Sequence, residues 1–136
     1  MPRGLSPRNF AIDLKKFGDV TREQALTIFQ KIVIDLDSAI VLSTPVDEGR
    51  ARGNWFPTIG AASTAVDEDL LDKAGSIALA AIEANAMKLQ LGDVAWMANN
   101  LPYILPLENG HSQQALAGMV DINLNAAAAY YGGSIA

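Results

Sequence analysis

Cysteine is absent from the 136-residue chain, and histidine occurs once, as His111. The lack of cysteine excludes disulfide frameworks, thiolate nucleophiles and thiolate metal ligands. With one histidine a two-histidine zinc site is impossible, and the carboxylates do not follow the spacing of a calcium-binding loop. We therefore expect no metal, no other cofactor and no redox chemistry.

Charge is scarce as well. Charged residues make up 18% of the chain and the formal net charge is -5, whereas soluble domains average about 25% charged residues. An acidic chain is repelled by the phosphates of a DNA duplex, so specific nucleic-acid binding is disfavoured. Half of the residues are apolar, and the sparse charge leaves apolar surface for a partner to cover.

Long apolar runs are also missing. No segment reaches the roughly 18 uninterrupted apolar residues of a membrane span. The N-terminal stretch lacks the apolar run of a secretory signal, so a soluble product made in the cytoplasm is expected. Glycine-rich phosphate loops do not occur, because "YGGS" near the end has neither the spacing nor a following helix. Nucleotide use has no support.

The length fits a single domain. Within 1–136 we predict an N-terminal arm with a short helix at 1–18, a core at 19–130 and a loose tail at 131–136. The fold class is α+β, a small, mainly antiparallel sheet packed against two long helices and a C-terminal helix.

Apolar periodicity and capping signals place the helices. The strongest begins at Thr21, where Gln24 completes a capping box, and continues until Pro45. A second long helix is predicted from Asp67, with three acids in its first turn, to about Lys88. Shorter helices are predicted at 10–17, ended by Gly18, at 103–108, and from about 119 into the alanine run. "NWFPTIGA" and "DVAWMANN" have the composition of strands.

"TPVDEGRARGNW", at 44–55, places an acid pair and two arginines where the first long helix stops. Asp47 suits an Asx-type turn and Gly49 a chain reversal. If the chain is already extended, Arg50 and Arg52 point to one side and present two guanidinium forks. Two alternatives remain open: the arginines pair with Asp47 or Glu48, or they pair with carboxylates of a neighbouring subunit.

His111 admits two interpretations. One is a small hydrolase that uses His111 with Glu108, although catalysis needs convergent side chains and an orienting third group. The adjacent Ser112 does not by itself supply that geometry. The commoner alternative is a polar loop residue that caps the last helix or lies at an interface.

Two stretches together resemble a known family. "STPVDEGRARGNW" at 43–55, followed by "NNLPYILPLENGHSQQALAGMV" at 99–120, is similar to the minor tail component or tail-completion proteins of tailed bacteriophages, which lie at the neck between head and tail. The order and separation of the motifs agree over roughly residues 20 to 125. Glu48 replaces a common threonine, Leu116 replaces a common proline, and Pro106 falls inside the short helical segment.

The resemblance implies a virion structural protein and not an enzyme, made in the host cytoplasm and located in the tail or neck. It implies a homo-oligomeric ring, expected to contain six copies, that contacts connector, tail terminator or tail tube proteins. DNA would pass through the lumen without specific binding, and no membrane is involved. The candidate interface and motif residues are Asp47, Gly49, Arg50, Arg52, Asn54, Trp55, Asn100, Tyr103, Glu108, Gly110 and His111.

Related neck roles are alternatives, namely tail terminator and head-completion adaptor. A different class is a non-virion binding module that uses helices 21–43 and 67–89 as a groove. For the ring, we expect Asp67, Glu68 and Asp69 to line a lumen that repels DNA phosphates, and either the N-terminal arm or the "YYGGSIA" tail to reach a neighbour.

Overall fold

The computed structural model describes residues 8–110, 112–115 and 118–135. Its helical content is 46% and its strand content 10%, and the strands pair antiparallel, so the α+β class is confirmed. The helices are α1 (Arg22–Ser43), α2 (Arg50–Gly53), α3 (Ser76–Ala86), α4 (Ile104–Glu108) and α5 (Val120–Tyr131). The strands are β1 (Phe10–Ala11), β2 (Phe56–Ile59), β3 (Ala95–Ala98) and β4 (Ser134–Ile135).

Helix α1 forms as its sequence predicts. The Thr21 hydroxyl accepts a hydrogen bond from the Gln24 amide at 3.1 Å, and the Gln24 side chain accepts one from the Thr21 amide at 3.0 Å. This reciprocal pair satisfies two amides that the first turn leaves unpaired. The helix ends at Ser43, because Pro45 cannot continue it. It buries apolar side chains such as Ile32, Val33, Ile40 and Val41.

The second long helix is shorter than predicted. The acids at 67–69 do not start it: Asp67 accepts a hydrogen bond from the amide of Asp69 at 3.0 Å, in an exposed turn. Helix α3 begins at Ser76 after Gly75, whose φ of 76° is left-handed. Gly75 is therefore the N-cap and not an interior residue. Asp72 performs the capping, because its buried carboxylate accepts from the amides of Ile77 and Ala78.

The chain ends differ from the sequence-based expectation. The predicted helix over 10–17 is a strand, β1, followed by a single 3₁₀ turn at Leu14–Phe17 that Gly18 terminates. The predicted loose tail contains β4, which pairs antiparallel with β1, Phe10 facing Ile135. These pairings involve residues far apart in the sequence, which local periodicity does not reveal. Residues 1–7, most of the predicted arm, lie outside the described residues.

Strands β2 and β3 form a second antiparallel pair, in which Phe56 faces Ala98 and Ile59 faces Ala95. Both strands were predicted, with boundaries a few residues wider. The core lies between α1, α3, β3 and the start of α5. Its main cluster of buried residues is Ile40, Val41, Trp55, Ala78, Ile82 and Met119, and a smaller cluster holds Val33, Ala86 and Leu89.

Candidate functional site

The two stretches that carry the family resemblance meet in the folded chain. The side chain of Gln114 bonds both backbone groups of Val46: its oxygen accepts from the Val46 amide at 2.8 Å, and its nitrogen donates to the Val46 carbonyl at 2.9 Å. The side chain of Asn99 donates to the carbonyl of Ala51 at 2.8 Å. We call this meeting of residues 44–55 with residues 99–110 and 112–115 the seam. Sequence order alone does not predict the contact.

Arg52 fixes the end of α1 at the seam. Its guanidinium donates to the carbonyls of Leu42 and Thr44 at 2.9 and 3.1 Å, and to that of Lys73 at 2.9 Å. The last carbonyls of a helix have no partner within the helix and carry partial negative charge. A guanidinium there donates hydrogen bonds to these carbonyls and offsets their charge. Arg52 therefore joins α1 to the loop that precedes α3.

Arg50 makes a second internal link. Its Nε donates to the carbonyl of Glu68 at 2.6 Å, and its Nη2 lies 3.4 Å from the carboxylate of Glu48. The pairing with Glu48 is one of the two alternatives left open by the sequence. The prediction of an extended chain here is wrong, because residues 50–53 form α2. In a helical turn, residues two apart do not share a face.

Asn54 and Trp55 are buried polar anchors. The Asn54 amide group donates to the carbonyls of Arg50 and Asp67, both at 2.9 Å, and its oxygen accepts from the Asp67 amide at 2.8 Å. The indole N–H of Trp55 donates to the hydroxyl of Thr44 at 2.8 Å. Both side chains satisfy their hydrogen-bonding groups in the interior, as buried polar groups must.

Gly49 allows the loop that precedes α3 to approach the backbone of the corner. Its φ is 90°, and a side-chain Cβ at this position would collide with the backbone amide nitrogen of Lys73. Its carbonyl accepts from the amide of Asp72 at 3.1 Å. The position therefore requires glycine for both its conformation and its space.

Glu108 caps the last long helix. Its buried carboxylate accepts hydrogen bonds from the amides of Met119, Val120 and Asp121 at 2.8, 2.8 and 3.0 Å. An anion at a helix N-terminus is favoured by the helix dipole and by the unpaired amides. In this arrangement the Glu108 carboxylate positions α5. The hydrolase alternative would need the same carboxylate for catalysis.

The other predicted site residues are spread around the seam. Asn100 donates to the carbonyls of Ser63 and Ala65 and so holds the loop after β2. Tyr103 precedes α4 and remains 38% exposed. Gly110, with a φ of 86°, follows the end of α4. His111 lies outside the described residues.

A small surface cavity marks the outer side of the seam. Its volume is about 270 Å³, and Asp47, Glu48 and Tyr103 reach it from the two motif stretches. Asp47 and Glu48 are exposed there. The seam therefore combines hydrogen bonds within the chain, made by the half-buried arginines and by buried Asn54, with an outer rim that carries an acid pair and an aromatic side chain.

A larger cavity of about 620 Å³ lies on another side of the core. Apolar residues of α1, β3 and α5 line it, together with residues 8–12 and 14. Asp37 of α1 projects into this lining; it is buried, and burial raises the pKa of its carboxyl to about 7. The Trp96 indole nitrogen is buried at the same cavity without a hydrogen-bond partner among the described residues.

Sequence reasoning missed Asp37, Asp72 and Trp96. The signal for Asp37 was present, because Val33, Asp37 and Ile40 follow the spacing of the buried helix face, where an acid is out of place. The cap at Asp72 was missed because the three acids at 67–69 favour a helix start earlier in the chain. The free indole N–H of Trp96 depends on tertiary packing, for which the sequence gives no signal.

Among the described residues, no group of three or more metal-binding side chains occurs, and no helix is long and apolar enough to cross a membrane. Comparison with protein-family models, with curated proteins and with solved structures gives no match.

Proposed function

We propose that the chain is a structural protein of a tailed-phage virion, forming a homo-oligomeric ring at the junction of head and tail. The observation that carries the proposal is the seam. The two stretches that resemble neck proteins lie 44 residues apart in sequence, and they meet through the Gln114 and Asn99 hydrogen bonds. Tail completion is the role that the resemblance favours. Tail termination and head completion are related roles of the same kind.

The seam has one set of residues that bond within the chain and another set that is exposed, and this separation supports the proposal. Arg50, Arg52 and Asn54 make hydrogen bonds within the chain, so the corner is held together before any assembly. Asp47 and Tyr103 remain at the exposed rim, where a neighbouring copy can reach them. A closed ring requires two different patches that meet from one subunit to the next.

Exposed apolar side chains are available for contacts between subunits of a ring. Leu71, Ile77, Met87 and Val94 are each at least half exposed, and Tyr130 is 82% exposed. Single exposed apolar residues are common on monomers, so the ring proposal does not rest on them. In the ring they would form the second patch that the rim of the seam meets.

The first experiment measures assembly of the purified chain. Light scattering across a concentration series gives the mass, and electron microscopy of the same samples shows whether rings form. A Tyr103→Ala, Asp47→Lys double variant is expected to weaken ring formation while the melting temperature stays the same, because both side chains lie at the rim. Phe17→Ala, which removes an exposed aromatic side chain outside both patches, is the matched control.

The second experiment tests the place in the particle. Antibodies against the purified chain, applied to tailed particles released from cells that encode it, are expected to label the neck. Labelling of the capsid shell or of the distal tail would contradict the proposal. So would particles that contain no copy of the chain by mass spectrometry.

A further inference from the structure

Strand β3 has one edge without a partner strand. Its only paired neighbour within the described residues is β2. The amide of Gly60 donates to the carbonyl of Val94 at 2.9 Å, which continues the register that pairs Thr58 with Trp96. In an antiparallel ladder, hydrogen-bonded pairs alternate with pairs that are not hydrogen bonded. The backbone N–H and C=O groups of Ala95 and Met97 therefore point away from β2.

The sequence fits this alternation. Pro57 has no amide hydrogen, and it lies opposite Met97, where β2 needs no donor toward β3. Across the described residues, no hydrogen bond from another segment reaches the outward groups of Ala95 or Met97. These groups form a short open edge of the kind to which an extended peptide adds as a further strand.

The open edge borders the large cavity. All four residues of β3 line it, although successive side chains of a strand point to opposite faces. The edge itself must therefore face the cavity. Its volume of about 620 Å³ is within the range of about 300 to 1,000 Å³ that accommodates bound groups.

Two buried polar groups at the cavity have no hydrogen-bond partner in the part of the chain that the structure describes. Asp37 is 7% exposed, and burial alone, with no hydrogen bond from the described residues, shifts the pKa of its carboxyl. The Trp96 N–H is buried, and within residues 8–110, 112–115 and 118–135 it has no hydrogen-bond partner. Buried polar groups are normally satisfied, so both point to a ligand that supplies a donor and an acceptor.

The charges around the cavity favour a basic ligand. Besides Asp37, its ionisable lining residues are Arg8, Asp93, Glu108 and Asp121. Arg8 lies 3.6 Å from Asp121, and Glu108 caps α5. Asp93 accepts from the amide of Gln90. Asp37 is therefore the acid in this lining with which a cationic group of a ligand can pair.

We propose that this cavity is a docking site for an extended segment of a partner polypeptide of a different sequence, which adds as a strand to the open edge of β3. The segment places apolar side chains in the cavity and one lysine or arginine against Asp37. A peptide carbonyl of the segment accepts from the Trp96 N–H. The proposal does not depend on ring formation, since a single chain contains the whole site.

The test uses synthetic peptides on the full chain. The probe is acetyl-Thr-Leu-Thr-Arg-Thr-Leu-Thr-amide, in which both leucines and the arginine share one face of a strand. The matched control replaces arginine by citrulline, which keeps the shape and removes the charge. NMR titration is expected to show binding, with slowed hydrogen exchange at the Ala95 and Met97 amides. The citrulline peptide is expected to bind about tenfold more weakly, because it lacks the charged hydrogen bond.

Two variants separate the parts of the site. In Asp37→Asn, the arginine and citrulline peptides are expected to bind equally. In Ala95→Pro, binding of both peptides is expected to fall at least about tenfold, because an outward N–H is lost, while the β2–β3 ladder remains intact. Ala80→Ser, at an exposed position of α3 that does not line the cavity, serves as the control that leaves binding unchanged.

The outcomes are decisive in both directions. Absence of binding by the arginine peptide, or binding that leaves the Ala95 and Met97 amides unprotected, would overturn the proposal. Equal binding of the two peptides to the unaltered chain would overturn the role of Asp37. Protection of the same two amides on self-association alone, without peptide, would show that a second copy is the occupant and would overturn the choice of a different chain.

Discussion

Asp37 makes the stability of this chain depend on pH in an unusual direction. The carboxyl has an ordinary pKa of 3.8 in the unfolded chain and a pKa of about 7 in the folded chain, because burial disfavours the charged form. Below about pH 4 both states hold the proton, and the residue has no effect on stability. As pH rises from about 4 to 7, the unfolded state loses the proton first, so the folded state is progressively destabilised.

The magnitude follows from the two pKa values. At about 1.36 kcal/mol per pKa unit, the rise from 3.8 to about 7 corresponds to up to about 4 kcal/mol of lost stability above pH 7. The change Asp37→Asn removes the titration and keeps the shape. We therefore expect the variant to exceed the unaltered chain in free energy of unfolding by about 2 to 4 kcal/mol more at pH 8 than at pH 4.5.

The assay is urea unfolding, followed by tryptophan fluorescence, of both proteins at about half-unit pH steps. Asp35→Asn is the control of opposite sign: a hydrogen bond from Lys31, then one from Tyr131, lowers the pKa of Asp35. That stabilisation is present at neutral pH and is lost as pH falls, and exposure to solvent keeps it small. A pH-independent difference between Asp37→Asn and the unaltered chain would refute the reasoning.

Three further substitutions test the anchors of the seam by unfolding measurements. Arg52→Lys keeps the charge but loses the fork that bonds three carbonyls, and a loss of about 1 to 3 kcal/mol is expected; a change within experimental error would contradict the role given to that fork. Glu108→Gln should lower stability by a similar amount, because the amides at the start of α5 lose a charged acceptor; an unchanged melting temperature would exclude the cap as a major contribution. Gly49→Ala should lose at least about 2 kcal/mol from strain and collision together, and more than Gly92→Ala, whose Cβ meets nothing within 4 Å; equal losses would show that the collision is absent.

The elements defined by local signals could be predicted from the sequence. The capping box at Thr21 and the break at Pro45 locate α1 to within a residue. The start of α3 could not be placed, because Asp67 satisfies its backbone through the side chain of Asn54, a contact across the corner. Helix-favouring acids were therefore kept in a turn by a tertiary hydrogen bond.

The candidate site was predicted in part. The composition of the corner pointed to Arg50 and Arg52, yet whether they bond inside or outside the subunit depended on carbonyls from α1 and the loop before α3. The convergence of the two motif stretches depended on Gln114 reaching Val46. Such contacts join residues distant in sequence, and no spacing rule anticipates them.

The short ribbon in which Phe10 lies opposite Ile135 brings the first and last described segments within one strand spacing of each other, roughly 5 Å. A circular permutant is therefore accessible, with a few glycines and serines joining these segments and new termini opened near Gly60, where an added Cβ meets nothing within 4 Å. New ends opened near Gly60 would lie at the end of the β2–β3 ladder, where the Gly60 amide bonds the Val94 carbonyl. That rearrangement offers a position for a label that is separate from the β1–β4 ribbon.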